Sequence, residues 1–473
     1  MVEATAQSSY RFFPLIMLLL FVAACSSRSP AYKPSPTLPA SFSESGEQPV
    51  SDTWWRSFED ADLNQLVSQA LDENLSLQAT YQRLLQAQAI AERQEASLSP
   101  SLDATAGAER QRGSDIAEAT TFSVGLGASY EVDLWGRVQS LAQAEQLRAL
   151  ASLANYQAAA ISLSGEIANT WFELLEQRAQ RNLAQRQLET NNNVLTVIEA
   201  RFGTGLSSSA DVLRQRQLVA ASVERIDTID AQIGILENQL AVLLGQSPGQ
   251  ARLPEGDVFP ALPPMPETGI PIALVQRRPD LQQAWWLIQA ADRELAAAIS
   301  NRFPRFSIEV SLNSQASNTG DLFYNWLLAL AGNLIMPVVD GGERRAEVRR
   351  SQALREERVR DYGQAVLTAI REVEDALTRE QQRRRQLESL AKRVQLADAT
   401  YRQLRNRYLN GAVSYIEVLD ALQEQQELTR TLLTTRQQSL SNRVALYRAL
   451  AGSIEPEAQT NLSQVTITER DPL

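Results

Sequence analysis

The sequence predicts a mainly α-helical chain that also contributes strands to a membrane β-barrel. Three observations predict this fold class: long segments without proline, four short segments of alternating polarity, and an internal repeat. The segment 136–202 contains no proline and could form one helix. At 1.5 Å per residue that helix would be roughly 100 Å long. Compact domains do not hold helices of this length, so we expect an elongated molecule.

A repeated unit accounts for most of the chain. Residues 201–205 (Arg-Phe-Gly-Thr-Gly) recur 206 positions later as residues 407–411 (Arg-Tyr-Leu-Asn-Gly). We therefore expect a first repeat at 60–245 and a second at 271–452, each with the order helix, two strands, long helix, shorter helix. The remaining segments are a linker rich in Pro and Gly at 246–270 and a C-terminal tail at 453–473.

The second long helix carries a coiled-coil pattern. Its apolar residues recur at alternating steps of three and four, which is a heptad seam. The members of this seam are Leu387, Leu390, Val394, Ala397, Tyr401, Leu404 and Tyr408. Upstream, residues 359–377 contain an extra step of four, a stutter that locally unwinds a supercoil. A coiled-coil dimer would show the same seam, so the helices alone leave that alternative open.

Four segments have the alternation expected of outer-membrane barrel strands. In the clearest, 121–132, apolar residues at even positions alternate with small or polar residues at odd positions. Segments 102–108 and 306–312 alternate in the same way, and 326–336 does so less regularly. Strands of a soluble sandwich alternate identically. Two hairpins placed symmetrically between long helices favour the barrel.

The number of strands predicts an oligomer. Four strands are too few to close a barrel, and an open sheet edge cannot exist in hydrocarbon. Three copies would supply twelve strands, enough for a barrel with a water-filled lumen. A trimer with a 12-stranded β-barrel, four strands per chain, would satisfy this requirement.

The N-terminus has the pattern of a secretory signal peptide over residues 1–24. Its apolar stretch, 12–24, follows a basic residue and is too short to span a bilayer. Cys25 is preceded by Val-Ala-Ala, which resembles the bacterial lipobox and implies lipid attachment at Cys25. A generic signal peptide with an incidental cysteine is the alternative. Residues 25–59 would form a lipid-anchored tether, rich in Ser and Pro in its first part.

The composition excludes several classes of function. The 473 residues include one cysteine and no histidine, which removes intrachain disulfides and the commonest general base and metal ligand. The net charge of −11 argues against nucleic-acid binding, which requires clustered cations. We expect no enzyme activity, no cofactor and no metal site, with a carboxylate hydrolase as a distant alternative.

Short motifs stand at the joints between the expected elements. Asp-Leu-Trp-Gly-Arg at 133–137 lies at the first strand-to-helix joint, and Asp-Gly-Gly at 340–342 lies at the second. Arg-Arg-Pro-Asp-Leu at 277–281 opens the second repeat, while Gly205 and Gly411 mark the helix-to-helix turns. In order and spacing these motifs resemble the TolC-like outer membrane efflux family, in particular its lipoprotein branch that serves resistance-nodulation-division (RND) pumps.

The resemblance implies a passive exit duct in the outer membrane of a Gram-negative bacterium. Such a duct conducts drugs or other small molecules from a pump to the outside. The implied assembly is a homotrimer whose 12-stranded β-barrel is continuous with a long α-helical coiled-coil tube across the periplasm. The implied partners are a periplasmic adaptor protein, an inner-membrane RND transporter and outer-membrane lipid. Two alternatives remain: a duct for type I protein secretion, and a periplasmic coiled-coil structural lipoprotein without a channel.

The resemblance also implies a periplasmic gate. Acidic residues just past the second turn of the family face the narrowed lumen, and the matching positions here are Glu417 and Asp420. Three-fold symmetry would gather each into a ring of three carboxylates, which repel one another and favour cations. An ordinary solvated helix face is the alternative interpretation of both residues.

Two further roles follow from the same resemblance. The turn residues expected to contact the adaptor are Gly205, Leu206, Gly411 and Ala412. Asp211 and Tyr408 match a latch that holds the tip closed in relatives. The arginine of that latch corresponds to Val413 here, so this part of the closed-state network is absent.

Overall fold

The structure, a computed structural model, describes residues 37–113 and 118–452. Cys25, the expected signal peptide and the expected C-terminal tail lie outside the described residues. The described chain begins with a segment that is packed rather than free, because Trp54, Trp55 and Phe58 are buried in a short 3-10 helix. The last part of the expected tether is therefore packed against the helices, and the boundaries of that segment stay a prediction.

The first repeat contains four α-helices and two strands. They are α1 (Ala61–Glu73), α2 (Leu75–Ala96), β1 (Ser101–Gln111), β2 (Ala119–Val132), α3 (Arg137–Gly203) and α4 (Ser209–Leu243). The side chains of Asp60 and Asn74 cap α1 and α2, accepting hydrogen bonds from the backbone N–H groups of Leu63 and Leu77. The cap at Asn74 divides the opening helix expected from the sequence into two.

The second repeat has the same order of elements. They are α5 (Pro271–Arg277), α6 (Pro279–Ser300), β3 (Arg305–Ala316), β4 (Trp326–Ile335), α7 (Glu343–Leu409) and α8 (Tyr415–Leu450). Here Pro279 separates the two opening helices, since the residue before a proline is disfavoured in a helix. Helices α3 and α7 each have 67 residues, roughly 100 Å of α-helix.

Helix α3 occupies the centre of the helical region. It packs against α2, α4, α6 and α8, while α7 packs against α6 and α8. The heptad seam predicted in α7 is the face that it buries, with Leu390 and Tyr408 almost fully covered. Around the middle of α3, Trp171 and Phe172 join Trp54, Phe58 and Tyr447 in an aromatic core.

The four strands form one antiparallel sheet in the order β1-β2-β3-β4. Its register places Ala104 opposite Leu126, Leu126 opposite Leu312, and Leu312 opposite Leu328. Because residues in register share a face, this row and its neighbours make one face apolar. The neighbouring rows on that face are Ala128 with Val310 and Leu330, and Val132 with Phe306 and Leu334.

The opposite face of the sheet is polar or small on three strands. One of its rows contains Thr105, Gly125 and Asn313. On β4 this face carries Leu327, Ala329 and Ala331, which explains why the alternation of that segment is irregular. Strands β1 and β4 are the two edges of the sheet within one chain. Among the described residues, no helix has the length and apolar character needed to cross a membrane.

Candidate functional site

The two helix-to-helix turns have the same backbone structure. In the first, the N–H of Gly205 donates to the carbonyl of Phe202 and the N–H of Leu206 donates to that of Arg201. In the second, Gly411 and Ala412 donate to Tyr408 and Arg407 in the same pattern. These pairs of bonds define Schellman motifs, which require a left-handed residue after the helix. Gly205 and Gly411 supply it, with φ of 71° and 77°.

The turns present an exposed surface at one end of the helices. Leu206 is 65% exposed, and Ala412 is also exposed. Further apolar side chains close to the turns are exposed as well, namely Phe202, Leu213, Leu409 and Ile416. A Cβ added at Gly205 or Gly411 would meet no other atom within 4 Å. The four residues predicted to contact an adaptor are therefore accessible.

A small hydrophobic cluster joins the two turns within one chain. Its buried members are Ile198, Val212, Tyr408, Tyr415, Val418 and Leu419. The rings of Tyr408 and Tyr415 lie 5.7 Å apart. Val413, which the sequence resemblance matches to a latch arginine, packs against this cluster as a partly buried apolar residue.

The predicted gate residue Glu417 also has a local structural role. It is the third residue of α8, and its Oε1 accepts hydrogen bonds of 3.0 Å from the N–H and the hydroxyl of Ser414. The backbone hydrogen bond from Ser414, followed by the bond from its hydroxyl, lowers the pKa of Glu417. The Glu417 carboxylate is exposed, ionised at neutral pH and fixed in direction by the helix cap.

The second predicted gate residue, Asp420, lies one turn further along α8. It is exposed and lines a groove of about 470 Å³ between α4 and α8, with α3 as its floor. Charged residues of both signs share this groove, namely Arg225, Glu424, Glu427 and Arg430. Glu417 and Asp420 thus lie near each other at the start of α8, as their spacing predicted.

The two predicted latch residues lie in the same tip but bind different partners within one chain. The hydroxyl of Tyr408 is 2.7 Å from that of Ser207, and the guanidinium of Arg201 lies 4.7 Å from the centre of the Tyr408 ring. Asp211 caps α4 instead, accepting hydrogen bonds of 3.0 Å and 2.8 Å from the N–H and hydroxyl of Ser208. Asp211 is therefore the first-repeat counterpart of Glu417.

Sequence reasoning missed Arg201 and Ser207 as partners of Tyr408. A signal for one of them was available, because Ser207 stands 206 positions before Val413, the position that corresponds to the latch arginine. The hydroxyl of Ser207, at the equivalent turn position of the first repeat, could have suggested it as a partner of Tyr408 in place of that arginine. Nothing in the sequence indicated the stacking of Arg201.

A line of buried polar side chains runs along α3 toward the tip. Its members are Glu176, Gln180, Gln187 and Asn191, spaced by four, seven and four residues. They bind α8: Gln180 donates to the carbonyl of Arg430 at 3.0 Å, and Gln187 donates to that of Gln426 at 3.2 Å. This heptad spacing with polar side chains fixes the register of α3 against α8.

The line continues into the tip cluster. Asn191 accepts a hydrogen bond from Gln426 through its side chain and one from Gln215 through its backbone carbonyl, at 2.9 Å and 2.6 Å. Gln215 is fully buried and accepts a hydrogen bond from the hydroxyl of Tyr415. Burial raises the pKa of Tyr415, so this hydroxyl remains a neutral donor.

The motif at residues 133–137 links the two halves of the molecule. The indole N–H of Trp135 donates to the carbonyl of Pro304 at 2.8 Å, and its ring stacks on Phe303 at 5.0 Å. Asp133 accepts a hydrogen bond from the N–H of Gln139 in the first turn of α3. The motif therefore fixes where β2 ends and α3 begins against the start of β3.

The motif at residues 277–281 fastens the second repeat to its neighbours. Arg278 is almost fully buried and forms ion pairs of 2.7 Å with Asp280 and 2.8 Å with Glu372 of α7. Arg277 forms an ion pair of 3.0 Å with Asp52 of the N-terminal segment. Both arginines thus have structural partners. Within the part of the chain that the structure describes, no cluster of residues could hold a metal ion.

Comparisons with known proteins agree on one family. The family model described as outer membrane efflux protein matches residues 66–246 and 271–452. The pyoverdine export outer membrane protein OpmQ of Pseudomonas aeruginosa is 30% identical over 469 residues, which cover 95% of this chain and 98% of OpmQ. The probable outer membrane lipoprotein SilC of Salmonella typhimurium is 25% identical, over 92% of this chain and 97% of SilC.

Solved structures give the same result. The structure of CusC, described as forming a transmembrane channel, has a TM-score of 0.81 and 25% identity, covering 90% of this chain and 99% of CusC. The open state of the Neisseria gonorrhoeae MtrE outer membrane channel has a TM-score of 0.81 and 25% identity, covering 90% of this chain and 98% of MtrE.

Proposed function

Because the chain belongs to the outer membrane efflux protein family, we propose that three copies of it form the outer-membrane exit duct of a tripartite efflux pump. The duct conducts small molecules passively and performs no chemical step. The relatives include channels of efflux pumps for solvents and antibiotics, and an exporter of pyoverdine. The cargo of this chain belongs to the same broad class of small molecules rather than to secreted proteins.

The sheet carries this proposal. Strand β1 leads away from the helices and β4 leads back toward them, so β4 of one copy can pair with β1 of the next in antiparallel sense. Three copies then give twelve strands without an open edge, as a membrane requires. The apolar face would contact lipid, and the face with Thr105, Gly125 and Asn313 would line the lumen.

Aromatic residues stand at both ends of the apolar face. Trp135 and Phe303 lie at the end nearest the helices, and Phe323, Tyr324 and Trp326 lie at the opposite end with exposed side chains. Membrane barrels have aromatic girdles at both interfaces, separated by an apolar band about 25 Å tall. This distribution supports a barrel that spans the outer membrane, with the helices on the periplasmic side.

The helices supply the periplasmic part of the duct. Both 67-residue helices start at the sheet and end at the turns around Gly205 and Gly411. We assign the exposed turn residues Gly205, Leu206, Gly411 and Ala412 to contact with the hairpin tips of a periplasmic adaptor. The adaptor would in turn connect the duct to an inner-membrane RND transporter.

We assign the gate to Glu417 and Asp420, and the latch of the closed tip to Tyr408 and Asp211. The capped, ionised carboxylate of Glu417 supports the first assignment, because its direction is set by hydrogen bonds from Ser414 at the start of the helix. Tyr408 supports the second, because it joins the end of α7 to the first turn. Lipid attachment at Cys25 is proposed from the sequence, as are the repeat boundaries at 60–245 and 271–452.

Electrophysiology and gel migration test this function together. The purified protein should migrate as a heat-modifiable trimer, and it should form discrete conducting channels in planar bilayers. In a pump-competent host that lacks its own duct, it should restore small-molecule export when its adaptor and transporter are supplied. A monomeric, non-conducting protein that is extracted without detergent would overturn the proposal in favour of a structural lipoprotein.

A further inference from the structure

The apolar face of the sheet contains a pocket of about 640 Å³. Its floor is formed by Leu126, Leu312 and Leu328, which lie side by side on β2, β3 and β4. Ala104 on β1 leaves room at one side of this floor because its side chain is small. The pocket therefore opens on the surface that the proposed function turns toward lipid.

A folded-back hairpin forms the outer wall of the pocket. The hydroxyl of Ser314 donates to the carbonyl of Leu322. The same hydroxyl lies 2.7 Å from the carbonyl oxygen of Asn325. Because Ser314 is on the apolar face, these contacts draw the loop between β3 and β4 over that face. Leu322 becomes buried and Phe323 lines the pocket, although Phe323 is 80% exposed overall.

The pocket lies in the outer half of the apolar band. Phe306 lies at the periplasmic end of β3, and Leu312 and Ser314 follow it by six and eight residues. At about 3.3 Å per residue and a strand tilt of about 40°, this places the pocket about 15–20 Å above that end. Trp326 lines the pocket beneath the outer aromatic residues. A lipid chain that inserts beside these aromatic residues would therefore meet the pocket before the rest of the apolar face.

We propose that this pocket holds one acyl chain of a lipid in the outer leaflet of the outer membrane. The inference rests on the proposed function, because only a membrane-embedded sheet exposes this face to lipid. An apolar cleft at this depth has no water to fill it, and leaving it empty would forfeit van der Waals contacts along its floor and its hairpin wall. An acyl chain is the apolar molecule available there, and the hairpin would hold it more tightly than the open surface around it does.

Fluorescence quenching in detergent tests the proposal. The probe is phosphatidylcholine with dibrominated acyl chains, added at zero to five molecules per chain, with Trp326→Phe used to isolate the signal of Trp326. Wild type should show saturable quenching of Trp326 near one lipid per chain. Ala104→Phe fills the pocket and should require at least fivefold more lipid. Ala128→Phe adds the same group to the same face outside the pocket and should behave as wild type.

Three results would overturn the site: quenching that rises without saturation, equal quenching in both phenylalanine variants, or no quenching. The first of these would indicate lipid around the barrel without a specific site. If Ala104→Phe fails to assemble, Ser314→Ala provides a second test, because it releases the hairpin and should weaken binding to a similar extent. The channel conductance of Ala104→Phe and of Ser314→Ala should equal that of wild type. A wild-type protein that binds lipid but does not conduct would contradict the proposed function and leave the pocket standing.

Discussion

The hydroxyl of Tyr408 lies 2.7 Å from the hydroxyl of Ser207, 201 residues earlier in the chain. This bond joins the last turn of α7 to the turn that follows α3. Arg201 stacks on the same ring, with its guanidinium 4.7 Å from the ring centre. In addition to the hydrophobic cluster beneath it, the tip of one helical hairpin is therefore joined to the other by polar contacts around the Tyr408 ring.

Tyr408→Phe should loosen this contact without creating a cavity. The ring and its contact with Arg201 remain, and the lost hydrogen bond should reduce stability by about 0.5–1.5 kcal/mol. We expect a higher open probability in single-channel recordings, because the tips separate more easily. Tyr401→Phe is the control, since Tyr401 packs against the same cluster. Equal open probabilities for wild type and Tyr408→Phe would contradict the role of Tyr408 as a latch.

Glu417→Gln with Asp420→Asn should weaken cation selectivity and block by multivalent cations. Assembly should be nearly unaffected, because glutamine can still accept the capping hydrogen bond from Ser414. The control is Glu224→Gln with Asp227→Asn, which removes the same charge from exposed positions of α4. Wild-type selectivity and block in the gate variant would show that the two acids are surface residues.

The selectivity should also depend on pH with a defined sign. The hydrogen bonds from Ser414 lower the pKa of Glu417 below that of a free glutamate, which is about 4.3. The stabilising effect of the cap is therefore present above that value and lost as pH falls through the lower folded-state pKa. Cation preference should persist from neutral pH to about 4.3 and decline below it. A decline that begins near pH 6 would instead indicate that repulsion within the carboxylate ring outweighs the cap.

Gly205→Ala and Gly411→Ala should each destabilise the protein by about 1–2 kcal/mol, because both residues have left-handed backbone conformations. Gly203→Ala is the matched control: Gly203 ends α3 without a positive φ, and alanine there should be neutral or stabilising. Thermal unfolding of the trimer measures the difference.

Gly205→Trp and Gly411→Trp should additionally reduce cross-linking to the adaptor. Unchanged cross-linking and drug resistance in both tryptophan variants would contradict the turn assignment.

The buried ion pair of Arg443 and Glu380 predicts a large stability effect. Their side chains are only 3% and 11% exposed, and Arg443 also donates to the carbonyls of Pro263 and Pro264 in the linker. Arg443→Met leaves Glu380 as an unpaired buried charge, which should cost about 3–5 kcal/mol. Adding Glu380→Leu should recover much of the loss. Denaturant unfolding measures both variants, and equal stability of the single and double variants would refute this explanation.

The fold class could be predicted from the sequence and is confirmed by the structural comparisons. Long helices and alternating strands both depend on periodicity, which a sequence records directly. The irregular β4 was still recognisable because Leu328, Leu330 and Leu334 keep the apolar face. The break at Asn74 was not foreseen, because a capping residue and a solvated helical asparagine look alike in a sequence.

The tip could be predicted only in part. Gly205 and Gly411 were evident because a left-handed position favours one residue type. The partners of Tyr408 were not, since Ser207 is 201 residues away and only its equivalence to Val413 across the repeat pointed to the contact. The polar line on α3 was also missed. Gln187 and Asn191 look solvated in sequence and are buried only because α8 supplies matching carbonyl and amide groups.

The identical length of α3 and α7 restricts how this protein can change in size. Both helices run from the membrane end to the same tip, so an insertion in one alone would leave its turn at a different depth from the other. Length changes must therefore occur in both repeats together. Steps of seven or eleven residues, about 10.5 or 16.5 Å, would keep the buried face within about 20° of its direction, whereas a step of two or five would rotate it toward solvent. A duct for a wider or narrower periplasm is thus reached by paired additions or deletions of such lengths.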